Sequence, residues 1–381
     1  MKIKCLFRIV GFNLLPALSL TALLAVAQEM PSRYKAFDSV EVPTATMRLR
    51  SSNAPTHRVA LAPTKQAMQE AAASAKGLSK EKSVSVLIGP DAEPPVAPYY
   101  VGPVFESGMA ATRLVWQAVA GGNITHVTVS SEGAKGIRAK LLLPRGLSFG
   151  EIRVAASLAG VAEALPLNLA QDGVLWTPYT EGGSQVIEIF TPQKVSDVSI
   201  QVVSVSHFIE SLAAGTYAKP PGEASVPTAG SCTIDVVCPS TSSALDAAIS
   251  DRSNSVARLN FVSKGGNYLC SGTLINSNIF PAPFFLTANH CINTQTEALN
   301  LYKIDWLFRS SACDSGVYST PVYQTGGGAV LLYGDIYLQA DITFLRLNSP
   351  PPSVARFAGW SAEPITTGSM LLGLHNPGGR L

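Results

Sequence analysis

Between about residues 110 and 210, apolar and polar positions alternate in short runs that are separated by turn residues. Alternation with a period of two is typical of β-strands that bury one face. Seven such runs predict an antiparallel β-sandwich over about 105–210. His126 and His207 lie within the runs, and we interpret both as structural. The runs cover residues 112–120, 124–131, 137–144, 152–158, 174–179, 186–191 and 198–207.

A second set of elements follows a Pro/Gly/Ala-rich segment at 211–230, which is typical of a linker. The pattern beyond it predicts a mainly β domain with a short helix at 243–250. Before the sandwich, residues 28–100 are irregular apart from a predicted helix at 64–75 and an extended linker at 90–98. Strands in the second domain are expected at 256–263, 268–276, 283–288, 301–308, 328–333 and 342–348.

The first 27 residues have the pattern of a secretory signal peptide. Three positive charges precede an apolar stretch from Ile9 to about Leu24, and Ala25-Val26-Ala27 forms a cleavage site of small residues. An uncleaved membrane anchor is the alternative, but Asn13 and Pro16 interrupt a stretch of borderline length. We therefore expect a signal peptide at 1–27 and a secreted, extracellular protein that passes through a periplasm and has no membrane contact after cleavage.

Cysteine usage divides the chain into two parts. Cys5 would leave with the signal peptide, residues 28–231 contain no cysteine, and the other five lie after residue 230. This asymmetry predicts a second part that is stabilised by disulfides in an oxidising compartment. Lys and Arg total 28, Asp and Glu total 26, and charged residues make up only 14%. The charge therefore gives no basis for a nucleic-acid partner, which needs a clustered basic face.

The segment with the most chemical information spans two neighbouring predicted strands. Cys270-Ser271-Gly272-Thr273-Leu274-Ile275 is followed by Phe284-Phe285-Leu286-Thr287-Ala288-Asn289-His290-Cys291. An apolar strand thus delivers a histidine at its end, beside a cysteine. Histidine ordinarily has a pKa of about 6.5 and can act as a general base. A lone histidine would be interpreted as structural, but these two motifs favour His290 as a catalytic base.

These motifs resemble the histidine region of chymotrypsin-like serine peptidases. Ser231-Cys232-Thr233-Ile234-Asp235-Val236-Val237-Cys238-Pro239 resembles the start of the mature enzyme in the lysyl endopeptidase branch, a group of secreted bacterial enzymes. Asn289 departs from the small residue or histidine usual there, and we expect catalysis to tolerate it. The resemblance implies a pro-region at 28–230 and a protease domain at 231–381. The expected fold is mainly β, a pro-region with an antiparallel β-sandwich followed by a truncated chymotrypsin-like double β-barrel, whose first barrel and the start of the second are present.

The resemblance also implies a catalytic aspartate. Asp341 opens an alternating apolar strand 51 residues after His290 and matches the family's aspartate motif. In a catalytic triad, such a carboxylate holds the histidine tautomer and stabilises the imidazolium. Asp335 is the alternative carboxylate, but the sequence after Asp341 matches the motif better.

The family implies two disulfides, Cys270–Cys291 and Cys238–Cys313, and leaves Cys232 for a partner further downstream. The first pair would join neighbouring strands around His290. Cys232 and Cys238 could be half of a zinc site, but no Cys/His pair completes it at a usual spacing. We therefore expect no metal, and the family implies no cofactor.

The third member of the triad is missing. A serine in a Gly-rich Gly-x-Ser-Gly turn does not occur between Asp341 and Leu381, and Ser271 comes too early. The remaining candidates without the flanking glycines are Ser349, Ser353, Ser361 and Ser369.

We therefore expect an N-terminal fragment of a secreted serine endopeptidase precursor, which lacks its nucleophile and is inactive alone. The resemblance implies protein or peptide substrates, cleavage after Lys or Arg, and the chain's own pro-region as a partner. One alternative is a catalytically inactive homologue that acts as a secreted binding module. Another is a structural β-sandwich protein with an unrelated disulfide domain.

Overall fold

The computed structural model describes residues 2–4, 29–34, 47–82, 98–144, 147, 150–167, 170, 173–192, 198–212, 234–315, 317, 319, 323–335 and 341–377. Residues 5–27 of the expected signal peptide, most of the linkers expected at 90–98 and 211–230, and Cys232 lie outside this set. Among the helices within it, none is long and apolar enough to cross a membrane.

The chain is mainly β, as the alternating pattern predicts. Its first part contains β1 (Lys2–Lys4), β2 (Glu29–Met30), β3 (Arg33–Tyr34), β4 (Thr56–Leu61), α1 (Lys65–Lys82), β5 (Tyr99–Glu106), β6 (Thr112–Arg113), β7 (Gln117–Val119), β8 (Gly122–Ser131), β9 (Gly136–Leu142), β10 (Glu151–Ala155), β11 (Ala162–Pro166), β12 (Val174–Trp176), β13 (Thr180–Glu181), β14 (Ser184–Thr191) and β15 (Ser199–Phe208).

The second part follows the expected order of elements, with bounds close to those expected. It contains β16 (Ile234–Asp235), α2 (Ser243–Ser253), β17 (Val256–Ser263), β18 (Gly266–Ile275), β19 (Phe284–Thr287), α3 (Gln295–Leu299), β20 (Leu301–Trp306), β21 (Tyr323–Thr325), β22 (Ala329–Asp335), β23 (Ile342–Leu347), β24 (Arg356–Phe357), β25 (Trp360–Ser361) and β26 (Gly373–His375). We call residues 47–212 the N-terminal unit and residues 234–377 the C-terminal unit.

The N-terminal unit is a sandwich of two sheets. One sheet has the order β11-β10-β14-β8-β4, with β7 beside β8, and the facing strands have the order β12-β9-β15-β5. Their apolar faces meet in one buried core, because alternate side chains of each strand point to the same face. Members of this core from the two sides include Val129, Ile152, Ile187, Ile137, Leu141 and Val205.

Three features of the N-terminal unit differ from expectation. Strand β4 comes from the region expected to be irregular, and it pairs with β8 in parallel, so the sandwich is not wholly antiparallel. Strand β5 begins at Tyr99, so the sandwich starts before residue 105. Helix α1 continues past Gly77 to Lys82, because the Ala, Lys and Glu around it are strong helix formers that offset the ~1 kcal/mol penalty of a mid-helix glycine.

Strand β5 joins the two units into one sheet. It pairs antiparallel with β15 of the sandwich and with β18 of the C-terminal unit. At this seam the buried Asn267 side chain donates to the carbonyls of Gly102 (3.1 Å) and Pro103 (3.2 Å). Its amide oxygen accepts from Ser206 at 2.9 Å. The sheet therefore continues from the N-terminal unit into the C-terminal unit through β5 and β18.

The C-terminal unit extends this sheet in the order β18-β17-β20-β21. Strand β19 pairs with β18 on one side and β23 on the other, and β22 pairs with β23. Its core is rich in aromatic side chains, including Phe261, Phe285, Trp306 and Phe357. Because β19 and β23 are antiparallel, the end of β19 lies beside the start of β23. Small edge sheets are formed by β16-β1-β26, β2-β25 and β3-β24.

Candidate active site

His290 and Asp341 meet where β19 ends and β23 begins. Thr287, the last residue of β19, faces Thr343 near the start of β23. His290 follows β19 by three residues, and Asp341 directly precedes β23. The antiparallel pairing therefore places a histidine and an aspartate from distant parts of the chain at one edge of the sheet.

Three hydrogen bonds fix the His290–Asp341 pair. His290 Nδ1 lies 2.6 Å from Asp341 Oδ2, and the His290 amide donates to Asp341 Oδ1 at 2.8 Å. The Asn289 amide donates to the Asp341 carbonyl at 3.1 Å. Asp341 itself has a φ of +45°, a left-handed conformation that aspartate adopts more readily than most residues. The carboxylate is thus positioned by the backbone of the residue that it contacts.

The site favours an ionised carboxylate. His290 is buried, with 7% of its surface exposed. Burial alone would raise the pKa of the Asp341 carboxyl. The hydrogen bond and charge of His290, together with the amides of His290 and Asn289, outweigh that effect and lower the pKa of Asp341 below its usual range. An ionised Asp341 can only accept this hydrogen bond, so Nδ1 of His290 is the donor and carries the hydrogen, which leaves Nε2 as the ring nitrogen with a free lone pair.

The alternative carboxylate, Asp335, has a different neighbour. It ends β22, and its Oδ2 accepts a hydrogen bond from the Tyr333 hydroxyl at 2.7 Å. Asp335 faces Ile342 in the β22–β23 register. The carboxylate that the structure brings to His290 is that of Asp341.

A polar cluster behind the pair was not found by sequence reasoning. Asn289, noted only as a departure from the family pattern, donates from Nδ2 to Thr343 Oγ1 at 3.1 Å. Thr343 in turn donates to the carbonyl of Ile292 at 2.6 Å. Asn289 and Thr343 are both buried, so they tie the turn that carries His290 to the strand that follows Asp341. The signal in the sequence was an amide side chain at a position where the family usually has a small residue or histidine.

Two disulfides frame the C-terminal unit, and they are the pairs that the resemblance implies. Cys270 of β18 is bonded to Cys291, which follows His290, and Cys238 is bonded to Cys313. The sulfurs of Cys270 and Cys291 lie close to a His290 ring nitrogen. Metal binding by cysteine needs a thiolate, and these sulfurs are oxidised. This close group is therefore explained by the disulfide.

No serine hydroxyl in the described part of the chain hydrogen bonds to His290. Ser271, next to the disulfide, instead accepts a hydrogen bond on Oγ from the Asn376 amide at 2.8 Å, and its carbonyl accepts from Thr287 at 2.8 Å. Within the described part of the chain, the side-chain group that contacts the His290 ring by a hydrogen bond is thus the Asp341 carboxylate.

Comparison with known proteins finds a matching family model for each of the two units. Residues 226–381 match the family model "Lysyl endopeptidase, C-terminal domain", and residues 104–209 match "Lysyl endopeptidase N-terminal domain". The chain belongs to the lysyl endopeptidase family. A curated relative, the lysyl endopeptidase of Pseudomonas aeruginosa, is 31% identical over 280 residues. The match covers 70% of this chain and 58% of that relative, so the chain matches little more than half of the relative's length.

Because lysyl endopeptidases are peptidases, this family is a peptidase family. The two family models follow each other in the order of the two units. The N-terminal model ends at residue 209, one residue after β15 ends at Phe208. The C-terminal model includes both His290 and Asp341.

Proposed function

We propose that this chain belongs to the precursor of a secreted serine endopeptidase that hydrolyses peptide bonds after lysine or arginine. The observation that carries the proposal is the 2.6 Å contact between His290 Nδ1 and Asp341 Oδ2. A buried histidine paired with an ionised carboxylate is the base half of a serine protease triad. The relative's name, lysyl endopeptidase, supports the substrate class.

In this mechanism His290 is the general base and Asp341 is its orienting group. His290 Nε2 accepts the proton of the serine hydroxyl as the serine oxygen attacks the substrate carbonyl. The same nitrogen then gives that proton to the leaving amine, and water repeats the sequence to release the acyl group. Asp341 holds Nδ1 protonated and stabilises the imidazolium, while the Asn289 and His290 amides hold Asp341.

The nucleophile in this proposal is a serine in the family's Gly-rich turn, which the 381-residue sequence does not contain. The chain matches 58% of the length of its curated relative, and a segment homologous to the rest of that relative would have to supply the serine. The 381-residue chain is therefore proposed to be inactive by itself.

The N-terminal unit is proposed to act as a partner of the C-terminal unit within the same chain. Support comes from Arg138, a fully buried residue of β9 in the N-terminal unit. Its guanidinium carbon lies 3.3 Å from the ring centroid of Tyr302, in the C-terminal unit, and 3.9 Å from that of Trp176. Burial lowers the pKa of Arg138 to about 9, against the opposing influence of Tyr302. The Arg138 guanidinium is thus buried between an aromatic ring of the N-terminal unit and one of the C-terminal unit. This favourable contact supports a specific interface between the two units.

Secretion is proposed from two observations. The first 27 residues have the pattern of a signal peptide. The two disulfides of the C-terminal unit are of the kind that persists in oxidising compartments. Both features suit a precursor that is exported before it acts.

The test compares the 381-residue chain with a version extended through the family's serine segment, using peptides that contain lysine or arginine. The extended protein should cleave them and be blocked by a serine-reactive inhibitor, whereas the 381-residue chain should do neither. Inhibitor-sensitive turnover by the short chain would disprove the assignment of the nucleophile. Failure of the extended, folded protein to cleave or to label would favour an inactive homologue that acts as a binding module.

Variants of the extended protein test the individual roles. His290→Ala should lower kcat by about 10⁶-fold, and Asp341→Asn by about 10⁴-fold. Asp335→Asn is the matched control, because it neutralises a nearby carboxylate that contacts Tyr333, and it should retain activity. A large loss in the control with little loss in Asp341→Asn would reverse the assignment of the aspartate.

A further inference from the structure

A short segment near the start of the chain lies against β24 and β25 of the C-terminal unit, which are more than 300 positions away in sequence. Residues 29–34, which we call the strap, are extended and form β2 and β3. Met30 pairs with Trp360 of β25, and Arg33 pairs with Phe357 of β24, both antiparallel. The strap thus pairs, through its backbone, with a segment of the C-terminal unit that follows β23 in the chain.

Side chains of the C-terminal unit hold the middle of the strap. Asn276 donates from Nδ2 to the Pro31 carbonyl at 2.5 Å. Proline has no amide of its own, so its carbonyl is the backbone group that it can offer. Arg356 donates from one guanidinium nitrogen to the Ser32 hydroxyl and from another to Asp251. One arginine therefore couples the strap to helix α2.

An aromatic pair lies under the other half of the strap. The guanidinium carbon of Arg33 lies 5.7 Å from the ring centroid of Phe280. Phe280 packs edge-to-face on Phe357 with 5.0 Å between ring centroids. A cation over a ring at this distance is a favourable contact. It adds a side-chain contact to the backbone pairing at Arg33.

The strap pairs with one edge of residues 356–361, and the C-terminal unit pairs with the opposite edge. Ala358 donates to the Leu274 carbonyl at 2.8 Å and accepts from the Asn276 amide at 2.9 Å, so β18 and its extension cover one edge of this segment. The strap covers the opposite edge. An uncovered strand edge presents unpaired amides and carbonyls that can bind another extended chain.

Gly359 shows that this surface leaves space for the strap. A Cβ at this position would lie 2.5 Å from the Met30 carbonyl oxygen, 2.7 Å from the Ser32 nitrogen and 3.0 Å from the Pro31 carbonyl carbon. These three nearest atoms all belong to the strap backbone. Gly359 does not have a left-handed φ, so the close approach of the strap, and not local strain, is what demands glycine here.

We propose that β24, β25, Asn276 and Phe280 form a binding cleft for one extended segment, and that its occupant is this chain's own residues 29–34. The strap attaches the start of the chain to the C-terminal unit independently of the β5–β18 seam. Recognition rests on backbone pairing along four residues, on the Pro31 carbonyl, on the Ser32 hydroxyl and on the Arg33 cation. The cleft therefore accepts an extended Pro-Ser-Arg peptide.

The first test uses Gly359→Ala in the full chain, with Gly77→Ala as the matched control, since a Cβ at Gly77 meets nothing within 4 Å. Amide hydrogen exchange and trypsin cleavage after Arg33 report on the strap. Gly359→Ala should lose exchange protection at residues 29–34 by at least about tenfold and become cleavable after Arg33. The control and the wild type should stay protected. Unchanged exchange protection of residues 29–34 in Gly359→Ala would overturn the proposal. So would a wild-type strap that exchanges, and is cleaved after Arg33, as fast as the strap of Gly359→Ala.

The second test does not depend on Gly359→Ala being folded. A chain lacking residues 28–36 is titrated with a fluorescent peptide of that sequence. It should bind the peptide, and a peptide with Ser32→Ala and Arg33→Ala should bind at least about tenfold more weakly, because it loses the hydrogen bond from Arg356 and the contact with Phe280. No binding, or equal binding of the two peptides, would overturn the proposal. Exchange protection of β18 and β19 confirms in both tests that the C-terminal unit is folded.

Discussion

The buried ion pair between β17 and β20 gives the most quantitative prediction. Arg258 and Asp305 face each other across these strands and are each 1% exposed. Arg258 donates to Asp305 Oδ2 from Nε at 2.9 Å and from Nη2 at 2.8 Å. Asn260 donates to the same oxygen at 3.0 Å, and Lys303 lies 3.3 Å from Oδ1. The carboxylate is therefore surrounded by two cations and an amide.

The pKa of Asp305 determines how much the ionised carboxylate contributes to the free energy of unfolding. Burial alone would raise it, but the charges of Lys303 and Arg258 and the hydrogen bonds of Asn260 and Arg258 lower the pKa to about 2. An unfolded aspartate has a pKa of about 3.9. Because the folded pKa is the lower one, the contribution to stability is complete above pH ~4 and is lost as the pH falls towards ~2. A shift of about two pKa units corresponds to roughly 2–3 kcal/mol.

The perturbation is Asp305→Asn, which keeps the shape and removes the charge. At pH 7 it should lower the free energy of unfolding by about 3–5 kcal/mol, because Arg258 stays buried without its partner. The difference from wild type should shrink by roughly 2 kcal/mol between pH 5 and pH 2. Urea unfolding at a series of pH values measures both, with Asp314→Asn as the exposed control. A difference that does not change with pH, or a loss under ~1 kcal/mol at pH 7, would refute the reasoning.

Two further predictions concern the frame of the site and the seam. Replacing Cys270 and Cys291 together by alanine should lower the free energy of unfolding by about 3 kcal/mol, as expected for a loop of this length, and thermal unfolding with and without reductant measures it. Asn267→Ala should cost about 2–3 kcal/mol and speed amide exchange in β5, because the carbonyls of Gly102 and Pro103 lose their donor. Equal exchange in the variant and the wild type would contradict this.

Local patterns of apolar and polar residues were sufficient to predict the bounds of a strand where that strand pairs with a neighbour close in sequence. Strand β17 was expected at 256–263, and these are its bounds. Its alternation and that of β18 come from one hairpin whose turn is marked by Lys264 and Gly265, both with positive φ. The meeting of His290 and Asp341 was expected from the family motifs, because one motif places the histidine just after a strand and the other places the aspartate just before one.

Long-range pairings had no such signal. The parallel pairing of β4 with β8, the insertion of β5 between two units and the docking of the strap join segments that are far apart in sequence. A strand's pattern shows which face is buried, but not which partner lies at its edge. Gly359 illustrates this limit, since its requirement for glycine comes from a segment more than 300 residues earlier.

The edge of β18 links these pairings to the candidate site. Strand β17 covers one edge of β18 along most of its length. On the other edge, β5 pairs with Gly266–Leu269 and β19 pairs with Gly272–Ile275. The change of partner falls at Cys270 and Ser271, and Cys270 is bonded to the residue after His290. The N-terminal unit therefore pairs with the part of β18 that adjoins the part paired with β19, the strand that leads to His290. Its removal would expose the edge of β18 at Gly266–Leu269, whereas the pairing of β19 with β18 and β23 and the Cys270–Cys291 disulfide lie within the C-terminal unit.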